Sequence, residues 1–348
     1  MKLSLLNWGF IASKSDTSLF IFHKAGDIVV ILVYVDDILV TGSNVQLVEK
    51  VIQHLSSEFA LKDLGEFNYF LGLEVTPSVE GLHLSQTKYV GDILKKAQMI
   101  ESKGCSTPMS STEKLVKDKG AAFENPSLYR SIVGSLQYLT LIRHEIAFTV
   151  NKLSQFLANP SVLHWQACKR VLRYLQCTAD LGLQFYASGS LTLSAFSDAD
   201  WGSDLDDRKS VGGYCIYLGN NLVSWSSKKQ PIVSRSTAES EYRALALAVS
   251  ETLWITNLLQ ELKVPLLQTP VIYCDNKSAE ALASNPKYHS RTKHIELDLH
   301  FIRDHIAQKE LQISHVPSYD QVADIFTKPL AFDQFNYLRS KLNVLSRP

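Results

Sequence analysis

Four acidic residues in the last third of the chain, Asp198, Glu241, Asp275 and Asp324, stand where carboxylates are costly unless they hold something. Asp198 and Asp275 end, or nearly end, apolar strand-like runs. Glu241 lies on the apolar stripe of a helical run, and Asp324 falls in a short helix that Asp320 can cap. Inward-facing charge needs a partner. A group of carboxylates is stabilised most readily around divalent cations, and paired cations held by carboxylates hydrolyse phosphodiesters. Taken singly, each acid has an ordinary explanation as a strand end, a helix cap, a snorkelling side chain or an exposed turn. Jointly they point to a nuclease centre.

A second pattern, Tyr34-Val35-Asp36-Asp37, lies between the apolar runs Ile28 to Val33 and Ile38 to Val40. It puts Asp36 and Asp37 in the turn of a buried hairpin, where two aspartates again need a metal or a strong partner.

The elements that must position these residues follow from periodicity. Ser18 to Phe22 and Asp27 to Thr41 read as strands, and Asn44 to Phe59 as a helix with Val48, Val51, Ile52 and Leu55 on one face. A hairpin spans Tyr69 to Leu84, and Gln86 to Ala97 is helical. Residues 103–127 have linker composition, and Tyr129 to Leu183 reads as helical with a break at Pro160. From Gly189, three strands (Leu191 to Asp198, Gly212 to Leu218, Leu222 to Ser226) precede a helix from about Thr237. Strand Pro270 to Asp275, helix Asn276 to Ser284 and strand Leu311 to Val316 complete the unit.

Within the helix from Thr237, the stripe Ala238, Glu241, Tyr242, Leu245, Ala248, Val249, Thr252 and Leu253 faces the core. Glu241 is on it. Glu239 is off it, four residues before Arg243, the spacing of a solvated ion pair.

At 348 residues the chain has room for two domains, and its 45% apolar and 20% charged residues are those of a globular protein. Net charge is zero, but Lys228, Lys229, Arg235 and Arg243 cluster, as do Lys287, His289, Arg291, Lys293 and His294. Five scattered cysteines without C-x-x-C spacing argue against zinc and a disulfide framework, and fit a reducing intracellular compartment. The longest apolar run is broken by Asp36 and Asp37, so no membrane span is expected. The N-terminus has no signal-peptide pattern. The spacings of His289, His294 and His300 are too loose for a metal site, which favours surface or packing roles. His315, just before the final loop, is a candidate for assisting product release.

Denser signals identify a family. SDADWG (197–202), RKSVGGYCIYLG (208–219), SWSSKKQ (224–230), STAESEYRAL (236–245), CDNKSA (274–279), HSRTKHIELDLHFIRD (289–304) and ADIFTKPL (323–330) closely resemble the ribonuclease H domain of copia-type retrotransposon polyproteins. LVYVDDILVTGS (32–43), KDLGEFNYFLGLEV (62–75), LHLSQTKYVGDIL (82–94) and YRSIVGSLQYLT (129–140) resemble the palm, thumb and connection of the same family's reverse transcriptase. Arg143-His144-Glu145-Ile146 stands where the family commonly has Arg-Pro-Asp-Ile, which suggests relaxed constraint.

The resemblance implies an α+β chain: a partial polymerase palm and thumb (1–105), a linker and helical connection (106–188), a ribonuclease H-like mixed five-stranded sheet with helices (189–335) and a C-terminal tail (336–348). It makes Asp198, Glu241, Asp275 and Asp324 the catalytic, metal-binding acids, served by two Mg²⁺ ions that Mn²⁺ can replace, and needing no small-molecule cofactor. The implied substrate is an RNA–DNA hybrid, selected through ribose 2′-hydroxyls, with Lys228 and Lys229 contacting the DNA backbone. Asp36 and Asp37 become metal ligands of a vestigial polymerase motif, Tyr34 to Asp37. The expected upstream palm aspartate and fingers are not recognisable in the residues before Tyr34, so polymerase inactivity is expected. Three readings follow: a hybrid-specific nuclease, a catalytically silent remnant that binds hybrid at most, or a polymerase completed by another chain.

Overall fold

The computed structural model describes residues 1–187, 191–284 and 296–347. His289 and His294, with Lys287, Arg291 and Lys293, lie outside the described residues. Two compact units are formed by residues 1–75 with 253–266, and by residues 76–252 with 267–348.

The first unit runs α1 (Lys2–Asn7), β1 (Ile11–Ala12), β2 (Leu19–Lys24), β3 (Asp27–Tyr34), β4 (Asp37–Gly42), α2 (Val45–Glu58), β5 (Tyr69–Phe70) and β6 (Leu73–Ser78), the last straddling the boundary. Strands β1 to β4 pair antiparallel in sequence order. Val29 and Ile31 are fully buried against Leu5, Phe20 and Leu55. The Asn44 side chain accepts the Leu47 N–H at 3.2 Å and so starts α2. In the same unit the Glu261 carboxylate accepts the Lys14 and Ser15 N–H groups, each at 3.1 Å, and the Ser15 hydroxyl at 2.8 Å.

The second unit contains β7 (Gly81–Ser85), α3 (Thr87–Lys96), α4 (Pro126–Leu139), α5 (Ala147–Ser154), α6 (Val162–Gln176), β8 (Leu181–Tyr186), β9 (Leu193–Asp200), β10 (Val211–Leu218), β11 (Asn221–Lys229) and the first part of α7 (Thr237–Glu261), whose residues from 253 onward belong to the first unit. There follow β12 (Val271–Cys274), α8 (Lys277–Ser284), α9 (Glu296–Ala307), β13 (Gln312–His315), α10 (Phe332–Lys341) and β14 (Val344–Ser346). Five strands form one sheet in the order β11-β10-β9-β12-β13. β9 to β11 are antiparallel neighbours, while β12 runs parallel to both β9 and β13. The chain is thus α+β, with the mixed ribonuclease H-like sheet that the resemblance implied.

Three local readings change. Leu181–Tyr186 is a strand, not the end of a helical stretch; it pairs antiparallel with β7 and β14. A short apolar run has no periodicity of its own to separate strand from helix, and both partners are remote in sequence. Residues 336–348 include most of α10 and all of β14, where Leu338, Leu342 and Val344 are fully buried. Asp320 caps nothing; its carboxylate accepts the Tyr337 hydroxyl at 2.7 Å. The short helix with Asp324 is a 3₁₀ turn, Val322–Phe326, capped by Gln321, whose side chain accepts the Ala323 N–H at 3.2 Å.

One apolar core joins the helices to the sheet. Ile132, Leu136, Val150 and Leu172 belong to the same cluster as Tyr217, Leu222, Phe326 and Val344.

Candidate active site

Asp198 is carried by β9, whose register sets it opposite Gly213 of β10. A Cβ on Gly213 would lie 2.7 Å from Phe326 Cβ and 2.9 Å from Thr327 Cγ2. Only glycine lets the 3₁₀ turn approach the sheet this closely. That approach brings the Thr327 hydroxyl onto Asp198 Oδ2. Gln321, fully buried, donates to the Ser197 carbonyl at 3.0 Å and fixes the other end of the turn.

Glu241 reaches the cluster from the first turns of α7, and its Oε2 accepts the Ala199 N–H at 3.1 Å. Asp275 follows β12 directly. Carboxylate oxygens of Asp198, Glu241 and Asp275 lie within 4.8 Å of one another, the one group of three or more such ligands among the described residues. Asp198 and Glu241 are buried, at 2% and 6% exposure, and Asp275 is half-buried. Asp324, also buried, stands beside Asp198 without belonging to that tight group. Lys328 joins the two, 2.9 Å from Asp324 Oδ1 and 3.6 Å from Asp198 Oδ2.

Electrostatics follow from this crowding. Burial, reinforced by Asp198 and Asp275, pushes the Glu241 carboxyl up to about 9. Burial and the Asp198 charge push Asp324 up to about 7. Asp198 is raised by burial against the pull of Lys328 and Thr327. Burial works against the charge on Lys328, but Asp198 and Asp324 outweigh it and raise its ammonium above the usual range. One cation thus faces four carboxylates. An all-oxygen, acid-rich donor set of this kind fits hard divalent ions such as Mg²⁺ or Mn²⁺.

Asp198 and Asp200 share a strand face, yet only Asp198 enters the cluster. Glu239 departs from its expected surface position. It is 9% exposed, with Oε2 accepting the Arg235 N–H at 2.9 Å and Oε1 paired with Arg243 at 3.0 Å. Ser236 accepts the Glu239 N–H at 3.2 Å, so Ser236-x-x-Glu239 is a variant of the capping box that starts α7. That signature is visible in the sequence and accounts for the burial. Lys328 had a signal too, since Asp324-x-x-x-Lys328 is the spacing of an ion pair across one turn, whereas the Thr327 contact with Asp198 is remote in sequence.

Lys228 is exposed at the end of β11. Lys229 is committed to Asp204 at 2.8 Å and Asp207 at 2.9 Å, and Lys152 also binds Asp204 at 2.8 Å. Against the cost of burial, the two lysines hold the Asp204 carboxyl well below the usual carboxylate range. His315 pairs in register with Cys274, one residue before Asp275; His300 is exposed.

Tyr34-Val35-Asp36-Asp37 forms the β3–β4 turn as expected, but that turn is exposed rather than buried, with Tyr34 at 51% and Val35 at 83%. The apolar flanks bury themselves while the turn projects past them. Val35 takes φ +50°, a strained conformation for a β-branched residue. Asp36 and Asp37 join no group of three ligands among the described residues.

The Arg143 to Ile146 segment is not loose. Arg143 and Glu145 form a buried 2.7 Å ion pair, Tyr174 donates to Glu145 at 3.1 Å, and Arg143 donates to the Thr178 carbonyl at 2.7 Å.

Residues 1–111 match the family profile described as reverse transcriptase (RNA-dependent DNA polymerase). The whole chain is 46% identical to the retrovirus-related Pol polyprotein from transposon RE2 of Arabidopsis thaliana, of which it spans about a quarter, 24% of the length. It is also 46% identical, over 64% of its own length, to an uncharacterized mitochondrial protein of Arabidopsis thaliana, covering 93% of that relative. The foamy viral protease-reverse transcriptase, solved in complex with an RNA/DNA hybrid, aligns over 83% of this chain and 36% of its own, with 15% identity and a TM-score of 0.45. No helix among the described residues is long and apolar enough to cross a membrane.

Proposed function

The chain belongs to the copia-type retrotransposon Pol polyproteins, and on that premise we propose that its acid cluster hydrolyses the RNA strand of RNA–DNA hybrids. The observation that carries this reading is the convergence of Asp198, Glu241 and Asp275 within 4.8 Å on a ribonuclease H-like sheet, with Asp324 beside them.

Asp198, Glu241, Asp275 and Asp324 would hold the divalent ions, two of them by the count that four acids suit, Mg²⁺ in the first place. Such ions polarise a phosphoryl oxygen and make water acidic enough to attack at neutral pH. The chain's own residues prepare the site. Thr327 and Lys328 fix the Asp198 and Asp324 carboxylates in one orientation, and the Ala199 N–H does the same for Glu241. Ser318 donates to Asp275 Oδ2 at 2.8 Å and orients the third acid. Exposed Lys228 is the cation available for a backbone phosphate, with Lys229 bracing the strand end through Asp204 and Asp207. Contacts to ribose 2′-hydroxyls would distinguish the RNA strand.

The exposed turn from Tyr34 to Asp37 and the reverse-transcriptase match over residues 1–111 support a second reading. Asp36 and Asp37 would serve RNA-directed DNA synthesis with the remaining ligand supplied from outside these residues.

The test is cleavage of a labelled RNA–DNA hybrid by the whole chain with Mg²⁺ or Mn²⁺, beside Asp198→Asn and Glu241→Gln. Metal-dependent cutting, lost in both variants, is expected. A folded wild-type protein that leaves the hybrid intact under both metals would assign the site to a silent remnant.

A further inference from the structure

The loop between β13 and the 3₁₀ turn carries an aromatic stack that the hydrolytic chemistry does not use. Tyr319 lies on Tyr337 of α10, ring centroids 5.0 Å apart and 26° from parallel. The Lys341 ammonium, also on α10, sits 5.2 Å from the centroid of the Tyr337 ring. The arrangement is held at three further points. Gln334 donates to the Tyr319 carbonyl at 2.8 Å, the Tyr337 hydroxyl donates to Asp320 at 2.7 Å, and Ser318 donates to Asp275 at 2.8 Å. Yet Tyr319 is 64% exposed. One face of its ring is covered by Tyr337 and the other is open to solvent.

An aromatic ring held flat and left uncovered costs side-chain entropy and apolar exposure together. Its place makes sense of that cost. Tyr319 is one residue from Ser318, whose hydroxyl touches the acid cluster, so the ring stands within a nucleotide or two of any phosphate bound there. Asp320 and Asp275 flank it, which disfavours a second phosphate and leaves the uncharged face of a nucleotide as the fitting ligand.

We propose that Tyr319, backed by Tyr337, is a packing platform for the ribose of the RNA-strand nucleotide adjoining the scissile phosphate. This rests on the hybrid-nuclease reading. Within a hybrid the bases stay stacked on one another and the sugar edge is what faces the protein, so packing on a ribose adds affinity and register without sequence preference.

The test uses the whole chain in an Asp198→Asn background, to prevent cutting, with a fluorescein-labelled RNA–DNA hybrid. Tyr319→Ala is expected to weaken binding by about 5- to 30-fold, and Tyr319→Trp, which keeps a flat apolar face, to restore it. With Asp198 intact, Tyr319→Ala should raise KM and leave kcat within about twofold, with an unchanged melting temperature. Equal hybrid affinity for the Asp198→Asn protein with and without Tyr319→Ala, while the Asp198 chain still cuts, overturns the platform and leaves the nuclease standing. So does a Tyr319→Ala change confined to oligomeric state in light scattering, which would mark the ring as a protein contact. A wild-type chain that neither binds nor cuts the hybrid removes both readings.

Discussion

At the scale of single residues, the site is defined by how strongly its acids resist ionising together. Burial with neighbouring charge lifts Glu241 to about 9 and Asp324 to about 7, against ordinary values of about 4. At these two positions the folded protein therefore holds more protons than the unfolded chain between about pH 4 and 9. Their contribution to stability is fully present below pH 4 and is lost as pH rises through 7 for Asp324 and 9 for Glu241. In metal-free buffer the melting temperature should fall between pH 5 and 9, and Glu241→Gln should flatten that fall. Mg²⁺ needs both groups ionised, so its binding should release about one proton at pH 8. Calorimetry in buffers of different ionisation enthalpy would measure it, and heats independent of buffer would contradict the assignment. The four acids were legible because polar residues at the ends of apolar runs are conspicuous. The burial of Glu239 leaves no mark in stripe periodicity, since it follows from the Ser236-x-x-Glu239 cap and not from the helix face.

At the scale of elements, the site depends on one close approach, that of the 3₁₀ turn Val322–Phe326 to β10. Gly213→Ala would set a methyl 2.7 Å from Phe326 Cβ and 2.9 Å from Thr327 Cγ2, on groups locked by Gln321 and Ser227. Overpacking of this kind costs about 1–3 kcal/mol, and the displaced turn takes Asp324, Thr327 and Lys328 with it. Gly134→Ala in α4, where a Cβ meets nothing within 4 Å, should instead be neutral or stabilising by about 1 kcal/mol. Urea denaturation of the two variants would show it; a Gly213→Ala protein as stable and as active as wild type would mean the turn is free to move. Element types were legible wherever periodicity was long, as in α2, α3 and α7. β8 was not, because Leu181–Tyr186 becomes a strand only through pairing with β7 and with β14, some 160 residues on.

At the scale of the whole molecule, the sheet that carries the acids does not own its core. Ile132, Leu136, Val150 and Leu172 on α4 to α6 pack in one cluster with Leu222 of β11, Phe326 of the 3₁₀ turn and Leu338 of α10. The C-terminal β14 closes on β8, and the His144 ring meets the Leu342 carbonyl at 3.2 Å, tying the end of the chain to the helical region. Sequence composition suggested a connection, a nuclease segment and a tail, but shared burial is a property of contacts between distant residues and leaves no local pattern. Residues 189–335 taken alone would expose the faces of β11 and the turn that α4 to α6 cover, and would lose Leu338, Leu342 and Val344, each of which is fully buried. Removing several such side chains at about 2–5 kcal/mol apiece exceeds the 5–15 kcal/mol that holds a domain folded. The excised segment is therefore expected to lack a cooperative melt, to bind ANS and to lose its near-ultraviolet circular dichroism, while residues 76–348 melt in one transition. A sharp, two-state melt of 189–335 would mean that the sheet and its own helices suffice. The acid cluster would then be portable, without the rest of the chain to position it.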